Sequence, residues 1–372
     1  MSTSDYLSAQ QICRAITLRD LTDPAHGEHA MQCLLDDVVS ALQSEWGSTV
    51  RTVRGTAIVP VRDNYDRLGY STTDVTRARR YTRYLSSTVM LRSHMSADLP
   101  AALEEYADAE SVDELLVAPG LVYRRDVVDR THVGEPHQVD LWRIRSTPLT
   151  SDDDLLKMIE RLVETVLPGA EWRATESLHS YTVGGRQVDV LHDGRWLELA
   201  ECGRIHPDVL RGSGLDPERW SGLALGMGLE RALMLCKGIP DIRYIRAQDP
   251  RIAMQMLTLD PWRQVSRLPM TRRDISIVLG AEEDEETLGD RVRAALGEDA
   301  DVIESVEVLA RTPHERLPAA ARARMGTTPG QVNVLLRLSI RPIDRTLGSD
   351  EANEIRNAVY RAVHEGAVLE LI

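Results

Sequence analysis

The residues best suited to chemistry are two glycines and an arginine in the segment Gly226-Met-Gly-Leu-Glu-Arg231, which opens a helix. Glycine lacks a Cβ atom, so the backbone at Gly226 and Gly228 can approach a flat ligand closely. Arg231 cannot lose its proton, and it therefore presents a planar cation to an adenine ring or a triphosphate. A glycine turn before an amphipathic helix is the structural alternative, because a Gly-x-Gly pair alone is weak evidence.

The longer string around these residues resembles motif 3 of class II aminoacyl-tRNA synthetases. Residues 226–235, followed by Lys237-Gly-Ile-Pro-Asp-Ile-Arg243, resemble the phenylalanyl-tRNA synthetase version of this motif. The resemblance implies that Gly226 and Gly228 bind ATP. It also implies that Arg231 binds ATP and takes part in catalysis.

The segment Val122-Tyr-Arg-Arg-Asp126 and its continuation to residue 138 resemble motif 2 of the same enzymes, in which the first arginine meets the α-phosphate. A planar guanidinium suits that task, since it can hold the amino-acid carboxylate and the phosphate together. By this resemblance Arg124 is catalytic, Asp126 is its carboxylate partner, and His132 lies near the ATP phosphates. Taken alone, Arg-Arg-Asp could equally be a surface ion pair.

Two further strings match the family in order along the chain. Met90-Leu-Arg-Ser-His-Met-Ser96 resembles the family's Leu-Arg-x-His-Thr-Ser string, which assigns His94 and Ser96 to the α-amino end of the substrate. An ordinary structural histidine is the alternative for His94. Residues 194–207 resemble the family's Trp-Leu-Glu-x-x-Gly-Cys-Gly-x-x-His-Pro strand. Glu198 would then help to hold Mg²⁺ on ATP, because this hard cation prefers carboxylate and phosphate oxygens.

Several positions of the expected amino-acid pocket depart from the family pattern. Pro136 replaces the phenylalanine that usually stacks on adenine, and His179 and Tyr181 align loosely with two pocket phenylalanines. Asp140 stands in place of a glutamate, and Gln187 in place of another. The amino-acid-binding residues implied by the resemblance are His94, Ser96, Gln138, Asp140, His179, Tyr181, Glu201 and Cys202.

Glu201 is the departure with the largest consequence, because it replaces the first glycine of the Gly-Cys-Gly string. A carboxylate beside a benzyl pocket is costly to desolvate unless a donor or a cation meets it. Either Glu201 points away from the pocket, or the preferred substrate carries a polar or cationic group that phenylalanine lacks. A pocket built to hydrogen-bond such a group can strongly reject the apolar analogue.

The elements that must position these residues fall into three parts. Residues 1–45 are predicted to form a helical segment, with apolar residues at helical spacing from Ala30 to Leu42 and a helix-start signal at Thr22-Asp-Pro24. Residues 46–260 alternate short β-rich runs with helices, including a helix at 153–166. They are expected to form the class II catalytic domain, a mainly antiparallel sheet with flanking helices.

Residues 262–372 are predicted to form an α+β domain of ferredoxin-like βαββαβ order. The expected elements are strand 274–279, helix 286–296, strand 302–309, strand 331–341, helix 350–365 and strand 366–371. Val332, Val334, Leu336, Leu338 and Ile340 alternate strictly, which indicates a strand with one buried face. This region resembles an anticodon-binding domain, in the layout of single-chain, organellar-type phenylalanyl-tRNA synthetase.

Composition limits the partners. The formal charge of −14 argues against non-specific DNA binding and against an anionic membrane surface. No basic-then-apolar leader starts the chain, no apolar run reaches membrane length, and the four cysteines lack metal or disulfide spacing, so we expect a cytoplasmic protein. Residues 262–372 hold 15 arginines and 19 acidic residues. Any tRNA contact would therefore need clustered arginines, for which the candidates are Arg272, Arg273, Arg341 and Arg345. These could equally be solvated ion-pair partners.

Phenylalanine is absent from all 372 residues, although the chain keeps 6 tryptophans and 10 tyrosines. Compositional drift and deliberate removal are the simple explanations. The alternative is that the protein must be made while phenylalanine decoding is impaired or altered.

The sequence thus predicts an enzyme that activates phenylalanine or a polar analogue with ATP and Mg²⁺ and transfers it to a tRNA, the phenylalanine tRNA being favoured. A monomer or a homodimer is expected. The alternatives are a tRNA-independent amino-acid-activating ligase and a binding protein with a degenerate site.

Overall fold

The computed structural model describes residues 6–78, 81–125, 127–265, 268–343 and 345–369, without the side chain of residue 298. The chain folds into two compact units. The first unit comprises Met1–Arg124, Glu135–Ile239 and Met254–Trp262. The second unit comprises Arg125–Gly134, Pro240–Ala253 and Arg263–Ile372. The ten residues after Arg124 therefore belong to a different unit from the strands on either side of them.

The first unit is built around one large sheet. Its strands are β1 (Thr49–Thr52), β2 (Ile58–Pro60), β3 (Val89–Leu91), β4 (Asp113–Leu121), β5 (His137–Ser146), β6 (Trp172–Glu176), β7 (Thr182–His192), β8 (Arg195–Ile205) and β9 (Trp220–Gly228). Seven of them form the order β1-β4-β5-β9-β8-β7-β6, in which only the β1–β4 pair is parallel. Strands β2 and β3 form a separate antiparallel pair. The predicted antiparallel sheet is confirmed.

Helices flank this sheet. They are α1 (Ala9–Ile16), α2 (Ala30–Trp46), α3 (Val61–Asn64), α4 (Leu99–Glu104), α5 (Asp152–Val166), α6 (Pro207–Gly212) and α7 (Leu229–Lys237). Helix α5 starts where Ser151 and Asp154 form a capping box. Its apolar residues at helical spacing are buried, and α2, α5 and α7 pack on one another. The flanking helices that the sequence predicts are therefore present.

The start of α2 differs from the sequence prediction. The Asp23 side chain accepts a hydrogen bond from the Ala25 amide, which begins only a short 3₁₀ turn at Pro24–His26. The long helix begins at Ala30, where the His29 ring accepts a hydrogen bond from the Met31 amide. Asp-Pro signals a helix start, but Gly27 adopts a positive φ that ends this turn. Helix α2 belongs to the first unit.

The second unit has a smaller sheet. Its elements are α8 (Pro250–Ala253), β10 (Thr271–Gly280), α9 (Glu285–Leu296), β11 (Ile303–Pro313), α10 (Ala319–Met325), β12 (Gln331–Ile340) and α11 (Ser349–Val363). The antiparallel order is β10-β12-β11, α9 packs on α11, and α11 packs against β10. Val334, Leu336, Leu338 and Ile340 are fully buried, as the alternation in β12 predicts.

The fourth strand of the expected ferredoxin-like order is not formed in residues 366–369, and residues 370–372 lie outside the described part of the chain. The Glu365 amide still donates to the Val278 carbonyl oxygen on β10. The Ala367 amide then donates to the Gly326 carbonyl oxygen, which draws the chain away from the sheet edge. A short helix, α10, also stands between β11 and β12. Within the described residues, no helix is long and apolar enough to cross a membrane.

Candidate active site

Four residues form one row across the sheet of the first unit. Asp140 on β5 pairs with Gly226 on β9. Gly226 pairs in turn with Glu201 on β8, and Glu201 pairs with Gln187 on β7. Residues directly opposite one another in neighbouring strands point to the same face, so two carboxylates flank a glycine on one face. A Cβ at Gly226 would lie 3.4 Å from Asp140 Oδ1, and glycine therefore keeps the space between them open.

A β-bulge brings Glu198 onto this same face. Glu201 pairs with Gln187 and Glu198 pairs with Asp189, so β8 advances three residues while β7 advances two. Without the extra residue, Leu199, strand alternation would turn the side chains of positions 198 and 201 to opposite faces. The bulge therefore adds a third carboxylate to the row. Burial, followed by the charge of Glu201, raises the pKa of Glu198.

Asp140 is a buried carboxylate with one oxygen left open. Ser96 Oγ donates a hydrogen bond to Asp140 Oδ2, whereas Oδ1 has no hydrogen-bond partner among the described residues. Burial raises the pKa of Asp140 to about 7, against the lowering effects of the Ser96 hydrogen bond, the Arg124 charge and the nearby indole N–H of Trp142. A buried carboxylate of this kind favours a cationic partner, such as an ammonium group.

His94 is held as a neutral hydrogen-bond donor. Asn64 Nδ2 lies 3.2 Å from His94 Nε2 and donates to it, which leaves the proton on Nδ1. Burial, reinforced by the charge of Arg124, lowers the pKa of His94 to about 3. Tyr70 stacks on the imidazole with ring centroids 5.6 Å apart. His94 Nδ1 is buried and forms no hydrogen bond with the described residues.

Aromatic rings and an ion pair form the other end of the row. His179 Nε2 lies 2.9 Å from Glu201 Oε1, and the centroids of His179 and Tyr181 are 6.0 Å apart. Tyr181 is stacked on Trp142, with centroids 5.8 Å apart. The hydrogen bond from His179 lowers the pKa of Glu201. Glu201 therefore shares its face with Asp140 and is ionised, with an imidazole as its partner.

The two arginines expected to be catalytic both act on this face. Arg124 Nε donates to the Ser93 carbonyl oxygen at 2.7 Å, and Arg231 Nη1 donates to the Glu198 carbonyl oxygen at 3.3 Å. The positive charges of both arginines lower the pKa of Glu198 against the effect of burial. Two cations thus meet a group of carboxylates next to Gly228, where an added Cβ would meet nothing within 4 Å. Gln138, which pairs with Gly228, accepts a hydrogen bond from the Met95 amide.

One expected residue, Cys202, does not share this face. Cys202 is one position on from Glu201 and pairs with Leu225, so its side chain lies on the opposite, helix-covered face. Burial raises the pKa of its thiol to about 12. His132 belongs to the second unit, where Nδ1 lies 2.8 Å from Asp129 Oδ2. Asp126 falls outside the described residues.

The arginines expected to bind tRNA have different surroundings within the second unit. Arg341 Nε lies 2.5 Å from the buried Glu304, and Arg345 pairs with Glu351. Arg273 Nε donates to Asn353 Oδ1 at 2.8 Å, and Arg272 is exposed on β10. Three of these four side chains are thus engaged by groups of the same unit, whereas Arg272 extends to solvent.

A cation site can be judged from the donor groups present. No group of three or more potential metal ligands occurs among the described residues. Glu198 and Asp189 nevertheless stand opposite each other on the sheet face that carries Asp140 and Glu201, which we call the functional face. The charge of Asp189 raises the pKa of Glu198. Mutual repulsion of this kind is relieved by a divalent cation. The residues therefore fit Mg²⁺ only when ATP supplies further oxygen ligands.

Sequence reasoning missed three residues that shape the site. Asn64 orients His94, Tyr70 stacks on it, and Trp142 stacks on Tyr181. Asn64 and Trp142 are fully buried, and none of the three lies at a motif spacing. Trp142 had one available signal, since it stands two positions after Asp140 on the same strand and must therefore point to the same face.

Known proteins are similar in sequence to about two thirds of this chain. The family described as tRNA synthetases class II core domain (F) matches residues 16–256. The phenylalanine–tRNA ligase alpha subunit of Prochlorococcus marinus strain MIT 9313 is 33% identical over 241 residues, which cover 63% of this chain and 69% of that protein. The corresponding alpha subunit of Nostoc punctiforme is 32% identical over 240 residues, or 64% and 70% of the two chains. A crystal structure of pyrrolysyl-tRNA synthetase from Desulfitobacterium hafniense overlaps with a TM-score of 0.47 at 18% identity, covering 60% of this chain and 75% of that one.

Proposed function

Because the chain belongs to the family of class II tRNA synthetase core domains, we propose that it is an aminoacyl-tRNA ligase that activates phenylalanine or a polar phenylalanine analogue. The observation that carries this proposal is the shared face of Asp140, Glu198 and Glu201, with Arg124 and Arg231 beside it. An open carboxylate oxygen suits the substrate ammonium group. The two guanidinium groups suit its carboxylate and the phosphates of ATP.

In the first step, a carboxylate oxygen of the amino acid attacks the α-phosphorus of ATP. The bond from this phosphorus to the bridging oxygen breaks, which leaves an aminoacyl-adenylate and pyrophosphate. No side chain has to move a proton, since the attacking carboxylate is already ionised. Arg124 would hold this carboxylate and the α-phosphate together and stabilise the charge that develops, while Arg231 would hold the nucleotide. Catalysis is then positioning combined with electrostatic stabilisation.

Mg²⁺ bound to ATP would neutralise phosphate charge, with Glu198 as its protein ligand. In the second step, the terminal ribose hydroxyl of the tRNA attacks the carbonyl carbon of the adenylate. AMP leaves, and the hydroxyl proton passes to a phosphate oxygen of AMP or to water. Asp140 would retain the ammonium group of the substrate through both steps, whereas His94, which carries its proton on Nδ1, has no acceptor to offer that group.

The side-chain end of the pocket favours a polar substrate. The hydrogen-bonded pair of His179 and Glu201 lies next to Tyr181, since the rings of His179 and Tyr181 have centroids 6.0 Å apart. A benzyl ring placed there would desolvate the Glu201 carboxylate without replacing its contacts with water. A ring that carries a hydroxyl or an amino group could instead hydrogen-bond to the pair. We therefore expect such an analogue to be preferred over phenylalanine.

The second unit supplies the proposed tRNA contact, and Arg272 is its most exposed candidate. The relatives from Prochlorococcus and Nostoc are named alpha subunits, and we infer that this chain acts without a second kind of subunit because it carries its own C-terminal unit. Light scattering of the purified chain should give a monomer or a homodimer. A chain that becomes active only with a different protein would contradict this part of the proposal.

Amino-acid-dependent exchange of pyrophosphate into ATP tests the activation step. The assay should include phenylalanine, tyrosine and ring-substituted amino and hydroxy analogues, followed by transfer to phenylalanine tRNA. Exchange with at least one of these amino acids, together with charging of tRNA, is expected. The absence of exchange with all of them would overturn the proposal. Acylation of a small amine in the absence of tRNA would favour the ligase alternative.

Replacement of Glu201 by glycine tests the preference for a polar ring. Glu201→Gly should shift the ratio of kcat/KM values towards phenylalanine by about 1–3 kcal/mol, because it removes a carboxylate that the benzyl ring leaves unsatisfied. Cys202→Ala is the matched control, since the neighbouring side chain lies on the other face. An unchanged ratio in Glu201→Gly would show that the carboxylate does not meet the substrate ring.

A further inference from the structure

Trp196 is a tryptophan with an unusual degree of exposure for its type. Its side chain is 36% exposed, whereas Trp142 and Trp220 in the same unit are 0% and 3% exposed. Tryptophan is strongly buried on average, because its ring carries a large apolar area. An indole ring left open to solvent therefore requires an explanation beyond packing.

Strand geometry places Trp196 on the functional face. Trp196 pairs with Leu191 and Glu198 pairs with Asp189, two positions along each strand. After the bulge at Leu199, positions 198 and 196 alternate regularly and share a face. Two positions along a strand span about 7 Å. The indole thus lies within one nucleotide's length of Glu198.

A cation fixes the orientation of the ring. The guanidinium carbon of Arg173 lies 4.4 Å from the centroid of the Trp196 ring. Arg173 Nε and Nη2 both lie 2.9 Å from Asp189 Oδ2, and Asp189 is itself buried. Because Arg173 covers one side of the indole, the exposed area lies on the opposite side and along the edge. The ring is therefore held in place before any ligand arrives.

On the same face, Arg231 can contact a nucleotide, but the aromatic residue that stacks on adenine in the family pattern is replaced by Pro136. Arg231 Nη1 donates to the carbonyl oxygen of Glu198, which brings the motif 3 arginine to the residue two positions from Trp196. Pro136, the residue before β5, offers no π face where an adenine ring would stack in the family pattern. A flat ring held between Arg231 and Trp196 would regain this contact.

We propose that Trp196 is a stacking platform for an adenine base on the active-site face, held ready by Arg173. This inference rests on the proposed function, since ATP and the terminal nucleoside of tRNA are the two sources of adenine in that reaction. A base stacked on an aromatic side chain gains stabilisation that depends on a π face rather than on apolar area alone. The two properties can be separated by substitution.

The test compares Trp196→Tyr, which keeps a π face, with Trp196→Leu, which keeps apolar area without one. In pyrophosphate exchange, Trp196→Leu should raise the KM for ATP by about 5- to 150-fold, and Trp196→Tyr should remain near wild type. Leu191→Ala is the matched control, because this neighbour lies on the same face and lacks a π system. If the base belongs to tRNA instead, the same pattern should occur in the KM for tRNA during transfer from preformed adenylate.

Two results would overturn the inference. The first is an unchanged KM for both ATP and tRNA in Trp196→Leu. The second is an equal loss of kcat in the Tyr and Leu variants without any change in KM, which would indicate a structural role. Direct titration of the wild type and Trp196→Leu with ATP, by calorimetry, gives the answer even if no amino acid supports exchange. Failure of the proposed function is therefore distinguishable from failure of this inference.

Discussion

The functional face of the first unit and the sheet surface of the second unit contain carboxyl groups whose pKa values are shifted in opposite directions. Around Asp140 and Glu198, burial is the largest effect and raises the pKa of each carboxyl. On the surface of the second unit, hydrogen bonds from Arg337 and Arg345 lower the pKa values of Asp274 and Glu351. The first region holds Asp140 and Glu198 at a cost in free energy, whereas the second region satisfies Asp274 and Glu351 with its own arginines.

The difference indicates where a ligand is needed. A carboxylate with a raised pKa gains from a cationic ligand, and an arginine bonded to a carbonyl oxygen keeps its full charge for an anionic one. The first region has both features, at Asp140 and Arg124. An arginine already paired with a carboxylate has less to offer a phosphate. The comparison therefore favours the first region for chemistry and leaves tRNA contact to residues such as Arg272.

Replacing one arginine in each region should give the largest difference, measured as the rate of pyrophosphate exchange. Arg124→Ala should reduce pyrophosphate exchange by at least 10²-fold, since a preorganised donor to the developing charge contributes on this scale. Arg345→Ala should leave exchange unchanged, because Arg345 is paired with Glu351 in the second unit. Circular dichroism of both variants checks that the fold is kept. Near-normal exchange by Arg124→Ala would remove this residue from the mechanism.

The second unit also contains a buried group of charges, and its contribution to stability can be compared with that of the exposed carboxyl groups. Glu304 is 2% exposed and contacts Arg130, Arg243 and Arg341. Glu304→Gln should lower the free energy of unfolding by about 1–3 kcal/mol, because Arg341 and Arg130 lose a charged partner while Arg243 keeps Asp241. Glu307→Gln, an exposed position on the same strand, is the control for denaturant titration. Equal stability of the two variants would show that solvent reaches the buried group.

Sequence reasoning predicted the parts of the molecule that follow local rules. Helix α5, predicted at 153–166 and found at Asp152–Val166, combines a capping box with a regular apolar stripe. Strand β12 follows a strict alternation. The functional face was predictable only in part, because the bulge at Leu199 has no local signature and decides the direction of Glu198. Asn64 and Tyr70 approach His94 through tertiary packing, which no spacing along the chain encodes.

The pH dependence of stability and of kcat/KM tests whether ionised Asp140 is held in the first region at a cost in folding free energy. Its pKa in the folded protein is raised to about 7 from an ordinary value of 3.8, so its ionisation should lower the stability of the fold as pH rises from about 4 through about 7. Binding of an ammonium group requires the ionised form. The kcat/KM for the amino acid should therefore rise about tenfold per pH unit below pH 7 and level off above it.

Asp140→Asn should flatten this profile and weaken amino-acid binding, whereas Asp274→Asn should leave the profile as in the wild type. The pH–rate curves of the three proteins, measured at saturating ATP, decide the matter. A wild-type curve that is level between pH 5 and pH 7 would mean that Asp140 ionises at an ordinary pKa, and the contrast between the two regions would then rest on the arginines alone.

The smallest effect is expected at Asp274, where the carboxyl lies on the surface and Arg337 donates to both of its oxygens. The hydrogen bond from Arg337 lowers the pKa of Asp274, so the pair stabilises the fold above the unfolded pKa and loses this contribution as pH falls through the folded pKa. Solvent and salt screen such an exposed pair. Asp274→Asn should therefore lower the Tm only slightly at pH 7 in low salt, and the difference from wild type should vanish at pH 2 or in 1 M salt. A large, salt-independent loss would show that this charge is held as tightly as Glu304, and the two regions would then differ in what they bind rather than in how they satisfy their own charges.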